Sequence, residues 1–374
     1  MNRHFQPFAL ERLLSQWENR VECNLSESGV YPVSLRELVA DPLVLEQLLS
    51  TRLTYPQTDG LPDLRERIAV LYPGASPDNV LVTNGCAEAN FNTLHTLAGP
   101  GDEVALMRPN YMQIWGDAHN AGMDVRPFTL SEEGGWGLDA GELAAAVTDR
   151  TKLIAVSNPN NPTGHILTEP EMAHLVAAAE RAGGWLLADE VYAGSERLRP
   201  EITSSFWGRY ERVVITGGLS KAYGLPGLRI GWVVAPASMR NEIWARQDYT
   251  TISTSILSNT LAAVALSAAM RHRLIERGRG YVREGFDLLS RWIAEHDGLM
   301  NVTPPDAGAI AFVRYTLPLN STQLCRRLLE EMDVLVAPGD HFGIDRHLRL
   351  NHGLPPFYIR KGLDRIAKLL TALV

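Results

Sequence analysis

Residues 212–235 read RVVITGGLSKAYGLPGLRIGWVVA. Two apolar runs, RVVIT (212–216) and RIGWVVA (229–235), have the composition of strands covered on both faces. Between them Lys221 stands alone as an amine among glycines and small residues, with Arg229 eight positions further on. Runs of the same kind lie upstream at NVLVT (79–83), EVALM (103–107), KLIAVS (152–157) and WLLADE (185–190). They alternate with stretches of helical period, AEANFNTLHTLAG and EMAHLVAAAERAG. Alternating strands and helices of this length predict an α/β fold, a mostly parallel, doubly wound sheet with helices on both faces.

From about residue 236 the pattern changes to long helical stretches, then to short strands at AIAFVRY and HLRLN, and the chain closes with a helix at RKGLDRIAKLLTAL. This tail reads as a smaller α+β domain. The expected organisation is an N-terminal segment (1–40) joining the small domain, a large domain (41–270) and a C-terminal small domain (271–374).

A chain of 374 residues, 45% hydrophobic and 21% charged, can bury a large core. Its net charge of -8 and its lack of a basic run argue against nucleic acid or an anionic membrane as partner. The three cysteines, Cys23, Cys86 and Cys325, lack metal-ligand spacing and do not make a disulfide framework, so no metal and a reducing cytoplasm are expected. The N-terminal stretch is too charged for a signal peptide, and no apolar run approaches the ~20 residues that span a bilayer.

Open α/β sheets place ligands at the carboxyl ends of their strands, and the informative residues cluster there. After NVLVT, Gly85, Cys86 and Ala87 open a helix whose amides suit an anion, although a tight strand-to-helix turn explains them as well. After KLIAVS comes NPNNPTG, which sets the amide of Asn161 at a strand end. Asp189 ends an apolar strand, where a carboxylate is costly unless a cation meets it; a helix cap is the other reading. Small neighbours leave Lys221 accessible, as a Schiff-base lysine requires. An anion-binding turn, Asn161, Asp189, Tyr192, Lys221 and Arg229 at successive strand ends match what pyridoxal phosphate needs.

The chain resembles the fold-type I pyridoxal-phosphate enzymes, specifically the class I/II aminotransferase family. The resemblance rests on YPQTDGLPDLRERIA, VTNGCAEA, PGDEVALMRPNY, NPNNPTG, LLADEVY, SKAYGLPGLRIGW and HLRLNHG, in the family's order and covering nearly the whole chain. It implies Lys221 as the Schiff-base lysine and proton shuttle, Asp189 as the partner of the pyridinium nitrogen, and Asn161 and Tyr192 as partners of the phenolic oxygen. It further implies Tyr111 on the ring face, and Gly85, Cys86, Ala87, Ser220 and Arg229 around the phosphate. Tyr55 reaches the phosphate of a neighbouring subunit in this family, so a homodimer with shared sites is expected. Arg349 matches the arginine that forks onto the substrate α-carboxylate.

Many relatives carry Ser or Thr three positions before the lysine, where this chain has Gly218; Ser220 or a partner-chain residue is the expected substitute. Aminotransfer is the leading activity. The segment NLSESGVYPVSLREL is unlike that of common aminotransferases, and with SKAYGLPGLR and RQDYTTISTS it resembles family members that cyclise a hydroxylated arginine. Elimination with ring closure on an arginine-like amino acid is therefore the alternative, with Glu27 and Gly29 beside the substrate; an exposed acid or helix-start residue is the other reading of Glu27.

Overall fold

The structure, a computed structural model, describes residues 5–373. Its large sheet has eight strands: β1 (Val80–Asn84), β2 (Glu103–Arg108), β3 (Asp124–Ser131), β4 (Gly137–Leu138), β5 (Thr151–Ser157), β6 (Trp185–Asp189), β7 (Val213–Gly218) and β8 (Ile230–Val234). Their spatial order is β1-β8-β7-β6-β5-β2-β3-β4. The run from β7 through β6, β5 and β2 to β3 is parallel, β8 lies antiparallel between β7 and β1, and β4 returns antiparallel along β3. The mostly parallel, doubly wound sheet expected from the apolar runs is the sheet observed.

These runs are apolar throughout because successive side chains enter two different cores. Val82, Ile154, Ala188 and Ile215 pack with Leu64, Ile68 and Leu175 on one face. Leu81, Leu153, Leu187 and Val214 pack with Ala89, Leu94 and Ile243 on the other. Strand β3 escaped the reading of the chain because its sequence, DVRPFTLS, is broken by Pro127 and its first half stays partly exposed. Only the two-residue β4 lies beyond it.

A second, antiparallel sheet pairs Met300–Val302, Ile310–Tyr315, His347–Asn351 and Ala337–Pro338, in that order. Its core includes Leu289, Val313, Leu324, Leu348 and Ile366. The helix Ala268–Ala294 joins the two bodies: Leu274 and Ile275 enter the large core, whereas Phe286, Leu289 and Trp292 enter the small one. The N-terminal residues divide in the same way. Leu10 and Leu14 of the helix Ala9–Trp17 pack on the large core, while Cys23–Asn24 pairs in parallel with Val334–Leu335 and places Cys23 and Leu25 in the small core. The chain therefore passes from one body to the other between residues 14 and 23. Leu14 and Glu18, on that passage, line the cavity described next.

Candidate active site

A cavity of about 350 Å³ lies at the carboxyl ends of the parallel strands, a size suited to a small ligand. Each strand end contributes locally. β1 runs into the helix Gly85–Leu97, which brings Cys86 and Ala87; β2 leads to Tyr111, β5 to Ser157 and Asn161, β6 to Asp189, and β7 to Ser220 and Lys221. Tyr192, Arg229, Glu27 and Arg349 complete the set expected at the wall of one cavity.

Asp189 is held from behind. Val191 N–H donates to its Oδ1 at 3.1 Å, Cys86 Sγ to the same oxygen at 3.5 Å, and Asn90 Nδ2 to its Oδ2 at 2.8 Å. Burial pushes the carboxyl above its ordinary pKa, and these donors together with Lys221 pull the other way. Burial also keeps the Cys86 thiol and the Tyr192 phenol protonated, raising both. Tyr192 is buried and lines the cavity beside Ser28, and among the described residues its Oη has no hydrogen-bond partner in regular geometry. A buried hydroxyl without a partner is costly, so this one marks where a ligand acceptor belongs.

Lys221 Nζ lies 3.8 Å from Glu27 Oε2. Burial works against the lysine's charge, but Glu27 first, then Tyr192, outweigh it and hold its pKa above the ordinary value. Glu27 is held below the usual carboxylate range, chiefly by Lys221 and against the effect of burial.

The helix amino terminus at Gly85 is built for close approach. Gly85 has φ +79°, and a Cβ there would lie 2.5 Å from Arg229 Nη2, so the guanidinium covers the turn directly. The same crowding explains Gly218. In the β7–β8 ladder Gly218 pairs with Gly231, and a Cβ at Gly218 would meet Ile230 O at 3.1 Å, while one at Gly231 would lie 2.3 Å from Gly85 C. A side chain at 218 would therefore make a tight contact with the Ile230 carbonyl. Ser220 lines the cavity two residues later.

Arg349 is buried and crosses between the two bodies. Its Nη1 donates to Asn161 Oδ1 at 3.0 Å and its Nη2 to Ser26 O, while Nε has no partner. Burial lowers its pKa from the ordinary value. With Oδ1 so used, Asn161 is left its Nδ2 to donate into the cavity.

Three expected residues lie outside the cavity wall. Gly85 sits beneath Arg229. Gly29 packs behind the lysine, where a Cβ would meet Ser220 O at 3.0 Å. Tyr55 is 83% exposed on the surface. The cavity also holds residues that the motifs did not single out: Glu11, Glu18, Ser28, Asn90, Gln113 and Ser157. Glu11 and Glu18 are seven positions apart, two helical turns, a spacing that could have flagged them as one face. Glu11 Oε1 accepts from Tyr111 Oη at 2.7 Å. Partial burial, then Glu27 and Glu11, push the pKa of Glu18 up.

An amine, a braced carboxylate, an unpartnered phenol and a guanidinium over a glycine-opened helix form a donor set that fits pyridoxal phosphate. The fold and this set define a fold-type I pyridoxal-phosphate enzyme. The family model for aminotransferase class I and II matches residues 27–366, and the chain belongs to that family. Its cofactor is pyridoxal 5'-phosphate, and the family's substrates are amino acids, small molecules of the size the cavity admits.

The chain is 33% identical over 366 residues to capreomycidine synthase of Streptomyces vinaceus, covering 96% of this chain and 92% of that one. A pyridoxal-phosphate-dependent aminotransferase from Streptococcus suis superposes with a TM-score of 0.92 at 30% identity over 99% of both chains. The pyridoxal-phosphate-dependent cyclase OrfR superposes with a TM-score of 0.90 at 30% identity, over 100% of this chain and 99% of that one.

Proposed function

We propose that the substrate is an α-amino acid with a distal positive charge, of the arginine type, and that the reaction is aminotransfer. One observation carries this reading: Arg349 and the three carboxylates of Glu11, Glu18 and Glu27 line one cavity. An α-carboxylate suits the guanidinium and a cationic side chain suits the carboxylates.

Pyridoxal phosphate, when bound, supplies the aldehyde that takes up the amino group and the ring that accepts the electron pair of the bond broken at Cα. Lys221 would hold the aldehyde between turnovers and would move the proton at the substrate Cα. Asp189 would accept from the ring N–H and keep the proton there. Tyr192 Oη and Asn161 Nδ2 would donate to the phenolic oxygen, and Tyr111 would wall the ring. The amides of Cys86 and Ala87 at the helix amino terminus, with Gly85 for close approach, Ser220 and Arg229, bind the phosphate. Gly29 leaves the lysine loop room, and Glu27 faces the substrate side chain.

A second reading, elimination with ring closure on a hydroxylated arginine-like substrate, is supported by the similarity to capreomycidine synthase and to the cyclase OrfR. Mass spectrometry of products from an amino-acid panel, with and without 2-oxoglutarate, separates the two. Turnover that requires the oxo acid supports aminotransfer, and turnover without it supports ring closure. Exclusive use of aspartate, leucine or phenylalanine would overturn the cationic substrate.

A homodimer with shared sites is proposed as well. The helix Pro42–Leu49 buries no residue within its own chain, and Leu43, Leu49, Leu53 and Tyr55 are exposed beside one another in sequence. Covering such a surface favours a second copy. Three free cysteines suit a cytoplasmic location.

A further inference from the structure

We propose that Asn90, oriented by Thr216, is a positioning residue that holds the Asp189 carboxylate for the cofactor's ring nitrogen. The inference rests on the assignment of Asp189 to that nitrogen. Asn90 lies four positions after Cys86 in the helix Gly85–Leu97, so both side chains leave the same helical face toward Asp189. Thr216 is the cross-strand partner of Asp189 in the β6–β7 ladder. Asn90 is 2% exposed and Thr216 fully buried. Three elements therefore converge behind one carboxylate.

The hydrogen bonds fix which end of the amide faces Asp189. Thr216 Oγ1 donates to Asn90 Oδ1 at 2.7 Å, and Asn90 Nδ2 donates to Asp189 Oδ2 at 2.8 Å. Turning the amide over would set its carbonyl oxygen against the carboxylate, two acceptors with no proton between them. The acceptor-only carboxylate thus sets which end of the amide it receives, and the threonine hydroxyl anchors the amide in that orientation by donating to its oxygen.

That donor matters because the carboxylate stands at the end of a strand whose other residues are apolar. Without compensation such a group takes up a proton, and a neutral carboxyl would hydrogen-bond an unprotonated ring nitrogen instead of holding it protonated. Val191 and Cys86 satisfy Oδ1. Asn90 stabilises the charge on Oδ2 and leaves that oxygen a lone pair for the ring N–H.

The test uses holoenzyme reconstituted with cofactor labelled with ¹⁵N in the ring, read by NMR across pH and alongside steady-state kinetics. In Asn90→Leu the ring resonance should move toward the unprotonated position. kcat should fall on the order of 10- to 100-fold, the worth of a hydrogen bond to a charged group, with KM for the amino acid little changed. The near-isosteric Thr216→Val should move the resonance in the same direction by less, and Thr216→Ser should restore it. An unmoved resonance in both Asn90→Leu and Thr216→Val, beside a moved one in Asp189→Asn, overturns this proposal alone. An unmoved resonance in Asp189→Asn overturns the assignment of Asp189, and this proposal with it. If Asn90→Leu fails to fold, the Thr216 pair carries the same comparison.

Discussion

Lys221 Nζ and Glu27 Oε2 stand 3.8 Å apart, and each pulls the other's pKa toward its charged form. One residue comes from the loop after β7 and the other from the N-terminal passage between the two bodies. Under the proposed function, the acid that meets the free amine would also meet the cation on the substrate.

Lys221→Ala should abolish turnover, because among the described residues no other amine lines the cavity. Borohydride reduction of the wild-type holoenzyme followed by peptide mapping should find the phosphopyridoxyl group on Lys221. Recovery of the label on another lysine would reject the assignment.

Asp189→Asn removes the negative charge that keeps the ring nitrogen protonated while leaving the side chain's shape. Activity should drop by several orders of magnitude with the circular dichroism spectrum unchanged. Near-normal turnover in that variant would show that the carboxylate is not needed.

Glu27→Gln should weaken the preference for arginine over leucine more than it weakens cofactor binding, as read by spectral titration with each amino acid. The pKa of Glu27 is lowered in the folded protein, so the acid stays charged down to pH values below the usual carboxylate range. The preference for a cation should hold at neutral pH and disappear only as pH falls through that lowered value. An unchanged preference in the variant would assign the selectivity elsewhere.

Tyr55→Phe and Lys221→Ala, each inactive or impaired alone, should partly complement each other when mixed as subunits, because some mixed dimers regain one intact site. Sedimentation of a fully active monomer would contradict a shared site.

Glu190 follows Asp189 but is buried away from the cavity, accepting from Ser205 Oγ at 2.9 Å and Phe206 N–H at 2.8 Å. Burial pushes its pKa up to about 8. The folded protein therefore holds a proton that the unfolded chain has released above its ordinary value, so stability falls as pH rises from about 4.5 to about 8. Glu190→Gln should flatten that fall by roughly 1 to 3 kcal/mol between pH 5 and pH 8. Urea melts at the two pH values check it; an equally steep fall in the variant would place the titrating group elsewhere.

The large sheet, and the strand ends that meet at the cavity, were legible as letters. Each of Lys221, Asp189 and the Gly85–Ala87 turn follows or ends its own apolar run, and a run apolar throughout, as burial on both faces requires, reports itself over five or six residues. β3 did not, since Pro127 and partial exposure erased the pattern that distinguishes a covered strand.

Residues whose importance is a meeting rather than a motif had no such signature. Asn90 reaches Asp189 across 99 positions of sequence, and Arg349 reaches Asn161 across 188. Glu11 and Glu18 line the cavity because Leu10 and Leu14 anchor their helix to the large core before the chain passes to Cys23 in the small one. Amino-acid order alone carried the cofactor and the family, because strand, turn and reactive side chain are neighbours along the chain. The acidic side of the cavity and the brace behind Asp189 arose from the packing of separate elements against one another, which no local pattern records.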